Sequence, residues 1–280
     1  MAENLSAGRM PVQQARATGD DVARSPQLEW LARAGLVARG VIYAIIGVLA
    51  IKLALGEGGE TTNQQGALET IAKQPFGKAL LIVMAVGLAG YATWRLVRAA
   101  IGHGPEASDD TKERLAGLAS GIAYALLCVT AVSILIGSGG GGSGGPEKAT
   151  GGVLDWPGGQ ILVAIAGLVM IGVGLEQGYK GIKKKFLEQS KTEQMSERVK
   201  RAFTALGVFG HLARMVVFSL IGYFLVRAAI DYDADEAVGL DGALSKLVQA
   251  SYGPILLGIV AVGLIGFAAY SVADARYRKV

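Results

Sequence analysis

The chain is short of nearly everything that soluble catalysis draws on. It has one cysteine, Cys128, so no intrachain disulfide can form. Its two histidines, His103 and His211, stand far from each other and from that cysteine, and nothing has the spacing of a metal site. Its glycine-rich stretches follow no strand pattern and carry no phosphate-loop lysine, so nucleotide cradling is unsupported. Charged residues make up only 18% of the chain, which is low for a soluble protein of 280 residues. Residues 1–30 lack the apolar stretch of a cleaved signal peptide and contain Pro11 and Pro26, which predicts a disordered tail over 1–29. These absences predict no enzyme activity, no cofactor and no metal.

What the chain has instead is apolar length. Hydrophobic residues are 51% of it, and the charges are segregated between long uncharged runs. Six runs, roughly 36–55, 79–101, 115–136, 159–178, 203–230 and 253–273, reach the ~20 apolar residues that span a bilayer as a helix. A soluble bundle of the same size would need polar faces on its outer helices, and none is written here. Lipid offers backbone amides no partner, so each run is expected to be helical.

Lys and Arg accumulate on the cytoplasmic side of membrane proteins. Arg9, Arg16, Arg24, Arg33 and Arg39 precede or open the first run, and Arg95, Arg98, Lys112 and Arg114 border the second connection. Lys180, Lys183, Lys184, Lys185, Lys191, Arg198, Lys200 and Arg201 fill the fourth, while Arg276, Arg278 and Lys279 end the chain. The alternate connections are poor in basic residues. Both termini are therefore expected in the cytoplasm, with the protein in a bacterial inner membrane. The net charge of +4 reflects this asymmetry and does not point to nucleic acid. Lys183, Lys184 and Lys185, just past a span end, are expected to meet anionic lipid headgroups at about 1 kcal/mol per charge. Other membrane proteins are the further candidate partners.

A two-span unit is written three times, over about 30–105, 106–190 and 191–280. Arg39-Gly40-Val41-Ile42-Tyr43, Pro75-Phe76-Gly77 and Gly87-Leu88-Ala89-Gly90-Tyr91 are answered by Arg214-Met215-Val216-Val217-Phe218, Tyr252-Gly253-Pro254 and Gly263-Leu264-Ile265-Gly266-Phe267. The middle copy keeps Ser120-Gly121-Ile122-Ala123-Tyr124 and Trp156-Pro157-Gly158. Repetition of one supersecondary unit sets the architecture. An even number of spans per unit makes the repeats parallel, so the expected fold is all-α: six transmembrane helices in three parallel repeats with pseudo-threefold symmetry. Inverted repeats of rocking transporters need an odd number. Gly66–Ile71 and Asp241–Leu247 predict short amphipathic helices in the outer loops, which the second unit replaces with the glycine-rich run 137–145. The glycine pairs predict close helix packing or a dimer face.

Ionisable residues within spans are costly and suggest function. Arg39, Arg95, Arg98, Glu176, Arg214 and Asp274 fall at one depth near the cytoplasmic ends, with His211 one turn before Arg214. Cross-helix pairing of Glu176 and Asp274 with Arg39 and Arg214 is expected. The same layer could instead hold an anion or substrate, or relay protons through His211 and Glu176.

At Ala38-Arg39-Gly40-Val41-Ile42-Tyr43, Gly87-Leu88-Ala89-Gly90-Tyr91 with Trp94-Arg95, Gly178-Tyr179-Lys180-Gly181 and Asp274-Ala275-Arg276-Tyr277-Arg278, the chain resembles the bacterial family called domain of unknown function 1206. The resemblance implies a six-span inner-membrane protein of three tandem two-helix repeats, and implies no activity or site residue. Phe218 in place of tyrosine and the glycine-rich second loop depart from the pattern. The leading expectation is a non-enzymatic scaffold or accessory membrane protein. The alternative is a channel or transporter for a small solute or ion, with a cytoplasm-facing charged site.

Overall fold

The computed structural model describes residues 26–57, 64–101, 111–137 and 146–279. Its α-helices are α1 (Pro26–Ala54), α2 (Gln64–Ala72), α3 (Gly77–Ile101), α4 (Thr111–Leu135), α5 (Pro146–Leu154), α6 (Gly159–Ile182), α7 (Glu197–Asp231), α8 (Leu240–Val248) and α9 (Gly253–Tyr277). The only β pairing among the described residues is an isolated antiparallel bridge between Ser190 and Arg278. Six helices, α1, α3, α4, α6, α7 and α9, are long and apolar enough to cross a membrane. α1 starts at Pro26, so the last residues of the expected tail join the first helix. Proline suits that position because its missing N–H would be unpaired anyway. The rest of the tail and residues 138–145 of the glycine run lie outside the described residues.

The longest span, α7, has 35 residues. At 1.5 Å per residue it is about 52 Å long, against a hydrocarbon core of about 30 Å. Ser196 caps its start by accepting from the Val199 amide. Its first turns carry Arg198, Lys200 and Arg201, and lie on the same side of the bundle as the C-terminus: just before α7, the Lys191 amide donates to the Tyr277 carbonyl at 2.7 Å.

The spans pack in a series. α4 lies on α3, α3 on α1, α1 on α9, α9 on α7, and α7 on α6. Among the described residues no comparably extended interface joins the two ends of this series, α4 and α6. They are also the least covered spans, with 11% and 22% of their apolar windows buried against 50–56% for α1, α3 and α9. One core runs through the middle, from Ile42, Ile46 and Ala50 of α1 to Leu81 and Leu88 of α3 and to Leu257, Ala261 and Leu264 of α9.

On the side away from the termini, α2, α5 and α8 each precede a returning span. The second of these corrects the expectation that the second unit has only a flexible loop there: α5 forms after the glycine run. Gly151 and Gly152 lower its intrinsic helix propensity, which is why the sequence hides it. α2 and α8 press Leu68 and Leu244, both fully buried, into the end of the bundle. The turn into each returning span uses a left-handed residue followed by glycine: Phe76 (φ 61°) before Gly77, Gly158 (φ 79°) before Gly159, and Tyr252 (φ 61°) before Gly253. A methyl group on the second residue would overlap the Ile71, Val153 or Val248 carbonyl, respectively.

Glycines within the spans serve close helix approach. A Cβ on Gly167 of α6 would stand 2.7 Å from the Gly222 carbonyl oxygen of α7, and one on Gly222 would stand 2.5 Å from the Gly167 oxygen. The two backbones thus touch, as membrane helices do when small residues face each other. Gly87 meets α1 and Gly263 meets α7 in the same manner, so both repeated glycine landmarks are spent on contacts within one chain.

Candidate functional site

Polar side chains converge where the six spans end beside the C-terminus. α1 brings Arg39, α3 brings Tyr91 and Arg95, and α7 brings His211 and Arg214. α9 returns with Phe267, Tyr270, Ser271 and Asp274. Their contacts sort the expected layer into residues that are paired and residues that are not.

Asp274 is fully buried and well supplied with donors. Arg278 Nη1 donates to Oδ2 at 3.3 Å, Arg39 Nη2 lies 3.7 Å from the same oxygen, and the Ser190 hydroxyl sits 3.2 Å from Oδ1. Arg39 also donates through Nε to the Ser271 hydroxyl at 3.2 Å and lies over the Phe267 ring at 5.1 Å. The expected Arg39–Asp274 pair is therefore present. Two cations around one buried carboxylate offset its desolvation, which a lone buried charge could not.

Glu176 corrects the other half of the expectation. It pairs with Lys180 one turn along α6 at 2.8 Å and is half exposed, rather than reaching Arg214 or Arg39. A neighbour at i+4 on the same helix needs no interhelical reach. Arg214 is held by rings instead: its guanidinium lies 4.6 Å from the Phe267 centroid, 5.0 Å from Phe218 and 5.7 Å from Tyr43. Its Nε is buried without a hydrogen-bond partner among the described residues, and no carboxylate there pairs with it.

His211 donates from Nδ1 to the Gly207 carbonyl at 2.8 Å and is stacked on Phe186, 5.1 Å between centroids. Phe186 also meets Phe203 and Tyr270 edge-on. This aromatic wedge holds the segment after α6 beneath the bundle, where the Lys279 amide donates to the Gln189 carbonyl at 2.9 Å. Arg95 donates to the Tyr91 hydroxyl at 3.2 Å and lies over Trp94. The Arg98 side chain lies outside the described residues. Lys183, Lys184 and Lys185 are exposed beyond α6, and Lys185 Nζ is 5.0 Å from the Tyr179 ring.

Between these groups lies a cavity of about 580 Å³. Arg39, Arg95, Lys180, Lys185, Arg214 and Arg278 give its wall six cations, against the carboxylates Glu176 and Glu188. Ala116 of α4 and Gln177 and Tyr179 of α6 complete the wall at the open end of the helix series. Gln177 Oε1 is, like Arg214 Nε, buried without a partner among the described residues. Deeper in the bundle, Tyr43 packs edge-on against Phe267 at 4.9 Å, and Ile46 and Leu264 are fully buried. Among the described residues no group of three or more His, Cys, Asp and Glu side chains assembles. Guanidinium and ammonium groups outnumber carboxylates in the cavity wall.

Glu176, His211, Arg214 and Asp274 were legible as chain positions, but Gln177 and Tyr270 were not singled out. Tyr270 shared a face with Asp274 at i+4, which was the available signal.

Comparison with known proteins places the chain among relatives. The family model described as Domain of Unknown Function (DUF1206) matches three times, at residues 34–102, 115–184 and 209–278. An uncharacterized protein of Bacillus subtilis (strain 168), YxxB, is 32% identical over 258 residues, covering 91% of this chain and 93% of its own length. No solved structure matches the chain.

Proposed function

We propose that this chain, which belongs to the DUF1206 family, is a non-enzymatic membrane protein that holds an oxyanion, a phosphate or carboxylate group, between its spans. Arg214 carries the proposal. It lines the cavity, its buried Nε has no partner among the described residues, and its neighbours are aromatic faces rather than acids. Arg39 and Arg278 are already engaged by Asp274, and Lys180 by Glu176. A guanidinium matches an oxyanion with paired N–H donors, and reduced dielectric strengthens the attraction. The Tyr43–Phe267 packing on its inner side favours binding over an open channel.

We place the cavity and both termini in the cytoplasm of a bacterial inner membrane, as the Lys and Arg distribution supports. The helices form three parallel repeats about a pseudo-threefold axis. Two features support this reading: the three family matches, and the three interfaces α3–α4, α6–α7 and α9–α1, which each join one repeat to the next. A scaffold for other membrane proteins, the first expectation from sequence, draws no comparable geometric support.

Calorimetric titration of the full-length protein in non-ionic detergent with inorganic pyrophosphate, at fixed ionic strength, tests the proposal. Saturable binding is expected, weakened at least about tenfold in Arg214→Gln by loss of a charge-assisted contact. No saturable binding, or equal binding by Arg214→Gln, would refute it.

A further inference from the structure

The cavity has a side as well as a mouth. Its wall includes Ala116 at the start of α4 and Glu176, Gln177 and Tyr179 near the end of α6. These are the two spans without an extended interface to each other among the described residues. The cationic chamber therefore sits at the head of the seam between the two ends of the series of spans. Along α4 the stripe of Ala116 continues inward to Ala123, and along α6 that of Glu176 continues to Gly172. Both inner positions are exposed, and a methyl group on Gly172 would meet nothing within 4 Å. The exposed flanks are apolar, with Leu118, Ile122 and Leu126 on α4 and Leu168 and Leu175 on α6.

We propose that the occupant is a membrane lipid with a phosphate-bearing headgroup, which reaches the cavity sideways through the α4–α6 seam and leaves an acyl chain lying in it. This rests on the oxyanion reading above and adds the source of the anion. Charge and apolar surface are complementary to such a molecule in the right order along the membrane normal. Six cations gather where the spans end, and uncharged, exposed faces of α4 and α6 run from them along the two helices. Lys183 and Lys184 at the end of α6 extend the cationic surface outside the cavity, where a headgroup is first met. A soluble phosphate would use the chamber and leave these faces unexplained.

Binding is measured on the full-length protein in non-ionic micelles with three probes: phosphatidylglycerol, phosphatidylcholine and glycerol 3-phosphate. Phosphatidylglycerol should bind at least about tenfold more tightly than glycerol 3-phosphate, the gain from burying about two methylene groups. It should also bind more tightly than phosphatidylcholine, whose headgroup has no net charge. Gly172→Trp and Ala123→Trp, which fill the seam at exposed positions, should abolish the preference for the lipid while leaving glycerol 3-phosphate binding unchanged. Arg214→Gln should weaken both. Glycerol 3-phosphate binding as tightly as the lipid, or tryptophan variants with undiminished lipid affinity, overturns the lateral route and leaves the oxyanion site standing. Failure of every phosphate probe overturns both.

Discussion

Asp274 is the residue on which the terminus-side end of the bundle most depends, and its coupling to Arg39 can be worked out in advance. The guanidinium stands 3.7 Å from the carboxylate. At an effective dielectric of about 20 that separation corresponds to about 4.5 kcal/mol of attraction, before desolvation is subtracted. The carboxylate is fully buried, and the arginine side chain is 12% exposed beside the cavity, so desolvation consumes a large part of this. Coupling energies for side chains in contact are about 0.5–3 kcal/mol, and a value of about 1–3 is expected here. The assay is a double-mutant cycle of Arg39→Gln, Asp274→Asn and the pair, unfolded from mild detergent by titrated denaturant and followed by tryptophan emission. Asp274→Asn should cost more than Arg39→Gln, because it strands Arg278 as well as Arg39. The double variant should cost less than the sum of the singles. Additivity within about 0.5 kcal/mol, or a costlier Arg39→Gln, would refute the reasoning.

Two further outcomes follow from packing and from charge. Gly222→Ala, facing the Gly167 carbonyl, should lose about 1–3 kcal/mol by overpacking, whereas Gly172→Ala in open space should gain roughly 0.5–1 kcal/mol of helix propensity; thermal midpoints in detergent compare them, and equal shifts would contradict the contact. On the opposite side of the bundle, Lys246 of α8 donates to Glu236 at 2.7 Å, and this hydrogen bond, with Arg227 nearby, holds the Glu236 carboxyl below its ordinary range. A carboxylate depressed in the folded state stabilises it fully above the ordinary carboxylate range and loses that contribution as the pH falls through the lowered value. The difference in midpoint between wild type and Lys246→Gln should therefore be present at neutral pH and vanish in strong acid; a constant difference would contradict the assignment.

The spans were legible because apolar length is a direct requirement of the solvent they occupy. Their ends fall within a few residues of the runs read from sequence, apart from the starts of α1 and α7, whose polar first turns lengthen the helix ahead of the apolar stretch. Arg39 and Arg214 show what was not legible. They hold the same repeat position, so equal pairing was expected of both. Arg39 faces α9, where Asp274 stands, whereas Arg214 lies among Phe267 of α9, Tyr43 of α1 and Phe218 of its own helix, and the residue standing where α9 has Asp274 is Tyr179 in α6. Arg39 meets a carboxylate across its interface, and Arg214 meets none. Glu176 occupies the position of Ser271 instead and takes Lys180 on its own helix. The lack of an extended α4–α6 interface among the described residues was hidden for a related reason: repeat membership records the order of the chain, whereas contact depends on which faces carry the close-packing residues.

The contact between α1 and α9 also sets an order of events. The first span made finds the partners of its arginine only at Ser271, 232 residues later, and at Asp274. Throughout synthesis Arg39 waits on an unclosed edge, and the final turns of the chain supply both its counter-charge and the Tyr277 and Lys279 backbone ties to the segment after α6. A chain cut short before Ser271 would leave Arg39 without both its hydroxyl partner and its counter-charge.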